Sequence, residues 1–203
     1  MSAVSIAEAW PARGRPFTVD DLDKLPDDGR RYELLDGVLV VSPRPTTIHQ
    51  LAATRLATLL ENACPGDLCV LAEPAVQLAA DTEFDPDVVV VRPEDVGGAK
   101  LTSPPLLVVE VRSPRTALID LNRKKAAYQR FGVRSYWIMD PDPQHPSITV
   151  FGLRDGRYAQ VIKVESSEVL QAEHPFPVEV VPARLLAGLP DRAATDRSDS
   201  TAG

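Results

Sequence analysis

Cysteine is scarce in this chain, and its two copies, Cys64 and Cys69, show neither CxxC spacing nor a nearby histidine. A disulfide framework and a zinc knuckle both fit poorly, so two reduced, structural thiols in a cytoplasmic protein are the expectation. Apolar runs of the ~18 residues needed for a membrane span are missing, so no membrane contact is expected. Residues 1–10 lack a basic stretch leading into an apolar core, so no secretory signal is expected. There are no internal repeats. Positive charge is in deficit: 22 Lys and Arg face 29 Asp and Glu, giving a net charge of −7. That argues against a surface coated with basic residues for nucleic acid.

The charge is unevenly placed. Acids gather in the first forty residues. Between Arg112 and Arg134 the balance reverses, with seven basic residues and the single acid Asp120. With 203 residues, 44% hydrophobic and 25% charged, the chain suits one compact domain. Residues 1–17 read as an irregular lead-in, 18–189 as a single domain, and 190–203, small and polar, as a disordered tail.

Turn and cap chemistry divides the domain. Thr18 followed three residues later by Asp21 predicts a helix start, ending near Pro26. Asp36-Gly37 between apolar runs predicts a hairpin over residues 31–41, because the favoured turn needs positive φ at both central positions. Thr46 or Thr47 begins a helix to about Ala63, whose leucines and alanines recur at 3.6-residue spacing. Strands are expected near 68–72, 75–78, 87–91 and 106–112. A helix over 117–131 ends at Gly132, a strand follows over 133–139, and a hairpin spans 148–153 and 158–164. Helix, several strands, helix and strand make an α/β fold with a mixed sheet.

Two strands carry charge where burial is expected. Glu110 interrupts Val108-Val109-Glu110-Val111, and Asp87 heads Val88-Val89-Val90-Val91. Burying a carboxylate costs several kcal/mol, on the order given for unpaired ions, unless something compensates. Alternation puts Glu110 and Arg112 on one strand face. If the two strands pair, Asp87 and Glu110 converge at one end of the sheet, and two carboxylates with room for water suit Mg²⁺. The structural alternatives are a turn acid for Asp87 and an ion pair with Arg112 or Arg115 for Glu110. Asp120, Lys124 and Tyr128 recur at i, i+4 and i+8 on one helix face. They make either a surface salt bridge or a route by which the Lys124 ammonium reaches the acids.

These segments resemble the Uma-two family of restriction endonucleases, within the PD-(D/E)XK nuclease superfamily. The matching pieces are Tyr32-Glu33-Leu34-Leu35-Asp36-Gly37, Ser42-Pro43 with His49, Pro86-Asp87-Val88 and Val109-Glu110-Val111-Arg112-Ser113-Pro114. Thr116, Asp120, Lys124, Tyr128, Gly132-Val133 and Tyr136-Trp137-Ile138-Met139-Asp140-Pro141 complete them, so the likeness covers roughly residues 18 to 165. It implies an αβββαβ restriction-endonuclease-like core, to which the last hairpin is an addition. It also implies a DNA endonuclease using Mg²⁺ or Mn²⁺. Asp87, Glu110 and Glu33 would be its metal ligands and, with Lys124, its catalytic residues. His49, Arg112, Asp120 and Tyr128 would support them. The superfamily lysine is replaced by Arg112, which stays protonated and cannot act as a base. The lysine role then falls to Lys124, with Lys125 the neighbouring candidate. A homodimer is expected by analogy, since cutting both strands commonly needs two sites. A nuclease fold used only as a binding or regulatory module, and a purely structural scaffold, are the competing readings.

Overall fold

The structure, a computed structural model, describes residues 14–42, 44–113 and 119–189. The expected tail over 190–203, most of the lead-in and the start of the helix after Arg112 therefore lie outside the described residues.

The chain opens with a short helix, α1 (Val19–Leu22), then strands β1 (Arg31–Leu35) and β2 (Val38–Ser42). At the start of α1 the backbone N–H and hydroxyl of Thr18 both donate to Asp21. The β1–β2 turn has φ of 47° at Asp36 and 77° at Gly37. A side chain at Gly37 would also collide with Pro16, whose Cβ lies 2.6 Å from where it would start. Helix α2 (Thr47–Ala63) follows, and the Thr46 hydroxyl accepts the His49 backbone N–H. Its buried Ala52, Leu56 and Leu60 fall four residues apart on one face.

The next strands are β3 (Cys69–Ala72), β4 (Val76–Ala79), β5 (Thr82–Phe84), β6 (Val88–Val91) and β7 (Leu107–Val111). Helix α3 (Ile119–Phe131) crosses back to β8 (Ser135–Asp140), and β9 (Ser147–Arg154) and β10 (Arg157–Glu165) form a hairpin. Strands β11 (Leu170–Ala172) and β12 (Val178–Val180) and helix α4 (Pro182–Leu185) close the described chain.

The principal sheet has six strands in the order β10-β9-β8-β7-β6-β3. Strands β3, β6 and β7 pair antiparallel, whereas β7 and β8 pair parallel across the α3 crossover. Read along the chain, α2, β3, β6, β7, α3 and β8 make the αβββαβ core, and the β9–β10 hairpin extends it. A four-stranded sheet, β2-β1-β5-β4, is built from the segment before α2 and the β4–β5 hairpin inserted between β3 and β6.

Strand alternation divides the principal sheet into two apolar layers. Val88, Val90, Leu107 and Val109 pack with Leu56 and Leu60 of α2. Val89, Val91 and Val108 pack with Ala127 and Tyr128 of α3. Each fully buried leucine or valine here stabilises the fold by about 1.5–3 kcal/mol relative to exposure. The helix layers hold the sheet from both sides and so fix where its carboxylates project.

Two expectations need correction, and one strand of the four-stranded sheet was missed. Asp87 precedes β6 rather than opening it, because its side chain takes the Val111 backbone N–H in place of a ladder partner. Strand β5 was not anticipated: three residues cannot display an alternation. The α1 helix ends at Leu22, with a turn, not helix, continuing to Leu25.

Candidate active site

Four elements deliver charge to one end of the principal sheet. Register places Val88 opposite Val109 in the antiparallel β6–β7 pair, so one residue further on Asp87 comes level with Glu110. Asp87 Oδ2 accepts the Val111 N–H at 2.6 Å, which anchors it to β7. His49, in the first turn of α2, brings Nε2 to 3.3 Å from the same oxygen. Burial would raise the Asp87 carboxyl, but His49, Arg31 and the Val111 N–H outweigh it and hold it below its ordinary range. Asp87 is therefore ionised at neutral pH. His49 is raised in turn: burial opposes its charge, and Asp87 favours it more strongly.

Glu110 lies on the α3 side of β7, as alternation requires. The Tyr128 hydroxyl donates to its Oε1 at 2.8 Å, and Lys124 Nζ stands 3.4 Å away. Burial pushes Glu110 up to about 7; Lys124 opposes this, while Asp87 and Glu33 add to it. Lys124 is 6% exposed, so its ammonium is inside the protein and not on a solvated helix face. It also donates to Glu33 Oε1 at 2.7 Å. Burial would lower the Lys124 ammonium, but Glu110 and Glu33 outweigh it and keep it charged. Tyr128 is raised well above its ordinary value, first by burial and then by Glu110, so it remains a donor.

Glu33 comes from β1 of the smaller sheet and is buried. Its Oε1 accepts both Lys124 and the Asp85 backbone N–H, the latter at 3.1 Å. The structure thus brings Glu33, Asp87, Glu110, Lys124, Tyr128 and His49 together. Arg112 is elsewhere: its guanidinium pairs with Asp140, not Glu110. Lys125 lies over the Phe151 ring at 3.5 Å, away from the acids. Asp120 falls on α3, but its side chain lies outside the described residues, as does Arg115.

Two participants were not anticipated. Arg31 reaches 3.5 Å from Asp87 Oδ1, 3.8 Å from Asp85 and 3.9 Å from Glu33. Asp85 is raised to about 6 by burial and then by Glu33. The available signal was alternation: Arg31 shares a strand face with Glu33, and Asp85 precedes Asp87 by two.

The cluster sets four carboxylates, Glu33, Asp85, Asp87 and Glu110, against two permanent cations, Arg31 and Lys124. Asp87 Oδ1 is buried without a hydrogen bond. Carboxylate oxygens and an acceptor left open fit a hard divalent cation. Among the described residues no three His, Cys, Asp or Glu side chains are arranged to hold a metal ion. Mg²⁺ does not require three, since it is usually held by one or two carboxylates, with water and phosphate oxygens completing its shell. Asp87 fits that role best through its open Oδ1, and Glu110, level with it on the paired strand, is the nearest second carboxylate.

An αβββαβ core with acids at the ends of its two central antiparallel strands defines a restriction-endonuclease-like protein. The chain belongs to the Uma2 family, described as "Putative restriction endonuclease", whose model matches residues 19–187. A solved structure from Anabaena variabilis, described as a putative nuclease belonging to DUF820, shares the fold. It superposes with a TM-score of 0.64 at 16% identity, over 77% of this chain and 89% of that one. No curated protein matches. No helix among the described residues is long and apolar enough to cross a membrane.

Proposed function

We propose that residues 18–189 form one nuclease domain, and that it hydrolyses DNA phosphodiester bonds with Mg²⁺ or Mn²⁺. The observation that carries this reading is the convergence of Asp87, Glu110, Glu33 and Lys124 at one sheet end, together with family membership. Asp87 and Glu110 would hold the ion, with Glu33 beside them. When bound, the ion supplies Lewis-acid charge and acidifies water.

The protein groups have separate tasks. Asp87 stays ionised and offers Oδ1 as a free acceptor. Tyr128 fixes one Glu110 oxygen by donating to it. Lys124 remains an ammonium, so it serves as a donor and not as a base. It orients the attacking water and offsets the negative charge that builds on the phosphoryl oxygens. His49 holds Asp87 from the α2 side. Arg112, occupied with Asp140, has no part in this scheme.

One observation favours the second reading, an idle nuclease fold used as a binding module. Lys124 and Arg31 already bridge the acids and partly neutralise them. Supercoiled plasmid separates the two readings. The nuclease reading expects nicked or linear product with Mg²⁺ or Mn²⁺ and none in chelator. Intact plasmid under every metal tested, or cutting that persists in chelator, would sink it.

A further inference from the structure

Arg31 is out of balance with its surroundings. Its side chain is four-fifths buried and touches three carboxylates, yet its closest approach, to Asp87 Oδ1, is 3.5 Å. Its Nη2 is buried and has no hydrogen-bond partner, and neither has Asp87 Oδ1 beside it. A buried donor left unsatisfied costs about 1–3 kcal/mol, and a guanidinium offers five N–H groups in a planar fork. A fold tolerates such a donor most readily where a ligand completes it.

The position narrows the ligand. Arg31 and Asp85 belong to the acid cluster and also line a groove of about 460 Å³, with Arg30 and Arg44 further along it. Asp23 and Glu83 in that groove are held by Lys100. Asp27 and Glu73 line it too, so the groove is no basic channel, and Arg31 is the lining cation that also touches the acid cluster. The guanidinium fork matches the two non-bridging oxygens of a phosphodiester.

We propose that Arg31 is a phosphate-binding residue of this site, donating to a phosphodiester in the groove from the one-fifth of its side chain that is exposed there. This rests on the nuclease reading of the same cluster.

The test is binding of a short labelled DNA duplex, followed by fluorescence anisotropy against salt concentration, with Ca²⁺ in place of Mg²⁺. Arg31→Met is expected to bind roughly 10-fold or more weakly, as loss of a charge-assisted hydrogen bond implies. Its salt slope should be shallower by about 0.9, the value for one lost phosphate contact on B-DNA. Arg31→Lys should restore the slope and only part of the affinity. A merely structural role would lower the melting temperature and leave the slope alone. An Arg31→Met protein with the wild-type slope overturns the proposal while leaving the nuclease reading intact. Wild-type protein that neither binds nor cuts nucleic acid overturns the nuclease reading, and the proposal with it. Should Arg31→Met fail to fold, the wild-type arginine Nε–H resonances serve instead. Addition of a dinucleotide phosphodiester should shift the Arg31 signal, and an unmoved signal overturns the proposal.

Discussion

Glu83 and Glu110 are buried almost equally, 6% and 5% exposed, and each meets a lysine. Their surroundings differ. Lys100 donates to Glu83 at 2.8 Å and to half-exposed Asp23 at 2.6 Å, so charges and hydrogen bonds close on each other near the surface. Lys124 is shared between Glu110 and Glu33 in the interior, with Asp85, Asp87 and Arg31 alongside and polar atoms left open. A buried acid beside a lysine is therefore no site in itself. Surplus acid and unsatisfied atoms separate the Glu110 cluster from a structural ion pair.

The largest expected difference is catalytic. Glu110→Gln should slow metal-dependent plasmid cleavage by at least roughly 10²-fold, since even groups behind metal ligands cost 10–100-fold. Glu83→Gln should cleave within a few-fold of wild type. Initial rates of supercoiled-plasmid loss check both, and equal rates would dissolve the distinction.

The next difference is in stability. Lys124→Met strands Glu33 and Glu110 without their cation and should cost about 3–5 kcal/mol, as for breaking a buried pair. Lys100→Met removes a charge-assisted bond nearer solvent and should cost about 1.5–3 kcal/mol. Urea denaturation at pH 8 measures both; the reverse order would contradict the account.

The same comparison has a pH signature. Glu110 is raised from 4.5 to about 7, so between those values the folded state binds more protons than the unfolded state. Stability from this group is present below pH 4.5 and is lost as pH rises toward 7. Glu110→Gln, which mimics the protonated acid, should gain up to roughly 3 kcal/mol relative to wild type between pH 5 and pH 8. Glu83 is also raised, by burial, but Lys100 opposes the shift, and Glu83→Gln should gain less. Denaturation midpoints at the two pH values decide it; a flat difference for Glu110→Gln would refute the shift.

The smallest effect is expected at Asp23. Its exposed pairing with Lys100 should contribute about 0–1 kcal/mol, so Asp23→Asn should be close to neutral in the same assay.

Local chemistry made much of this legible. Glu110 stood out as one charge in an apolar strand. Helical spacing then placed Lys124 and Tyr128 on one face, and both reach Glu110. Asp36-Gly37 announced its hairpin through the conformations its turn requires. The missing parts depend on distant pairing. Arg31 meets Asp87 only because β1 is carried against the β4–β5 hairpin, and β5 is too short to read. Likewise β11 and β12, three residues each and separated by five, find each other through tertiary packing, not local pattern. Alternation put Arg112 on Glu110's face and made it, with Arg115, the structural alternative for pairing that acid; Arg112 pairs instead with Asp140 at the end of β8, which a rule confined to one strand does not reach.

Calorimetric titration of Mn²⁺ tests the central claim most directly, because it reads the acids without substrate. The account predicts one stoichiometric site per chain in wild type, retained in Glu83→Gln and lost in Asp87→Asn. No binding in wild type, or equal binding in Asp87→Asn, would contradict it.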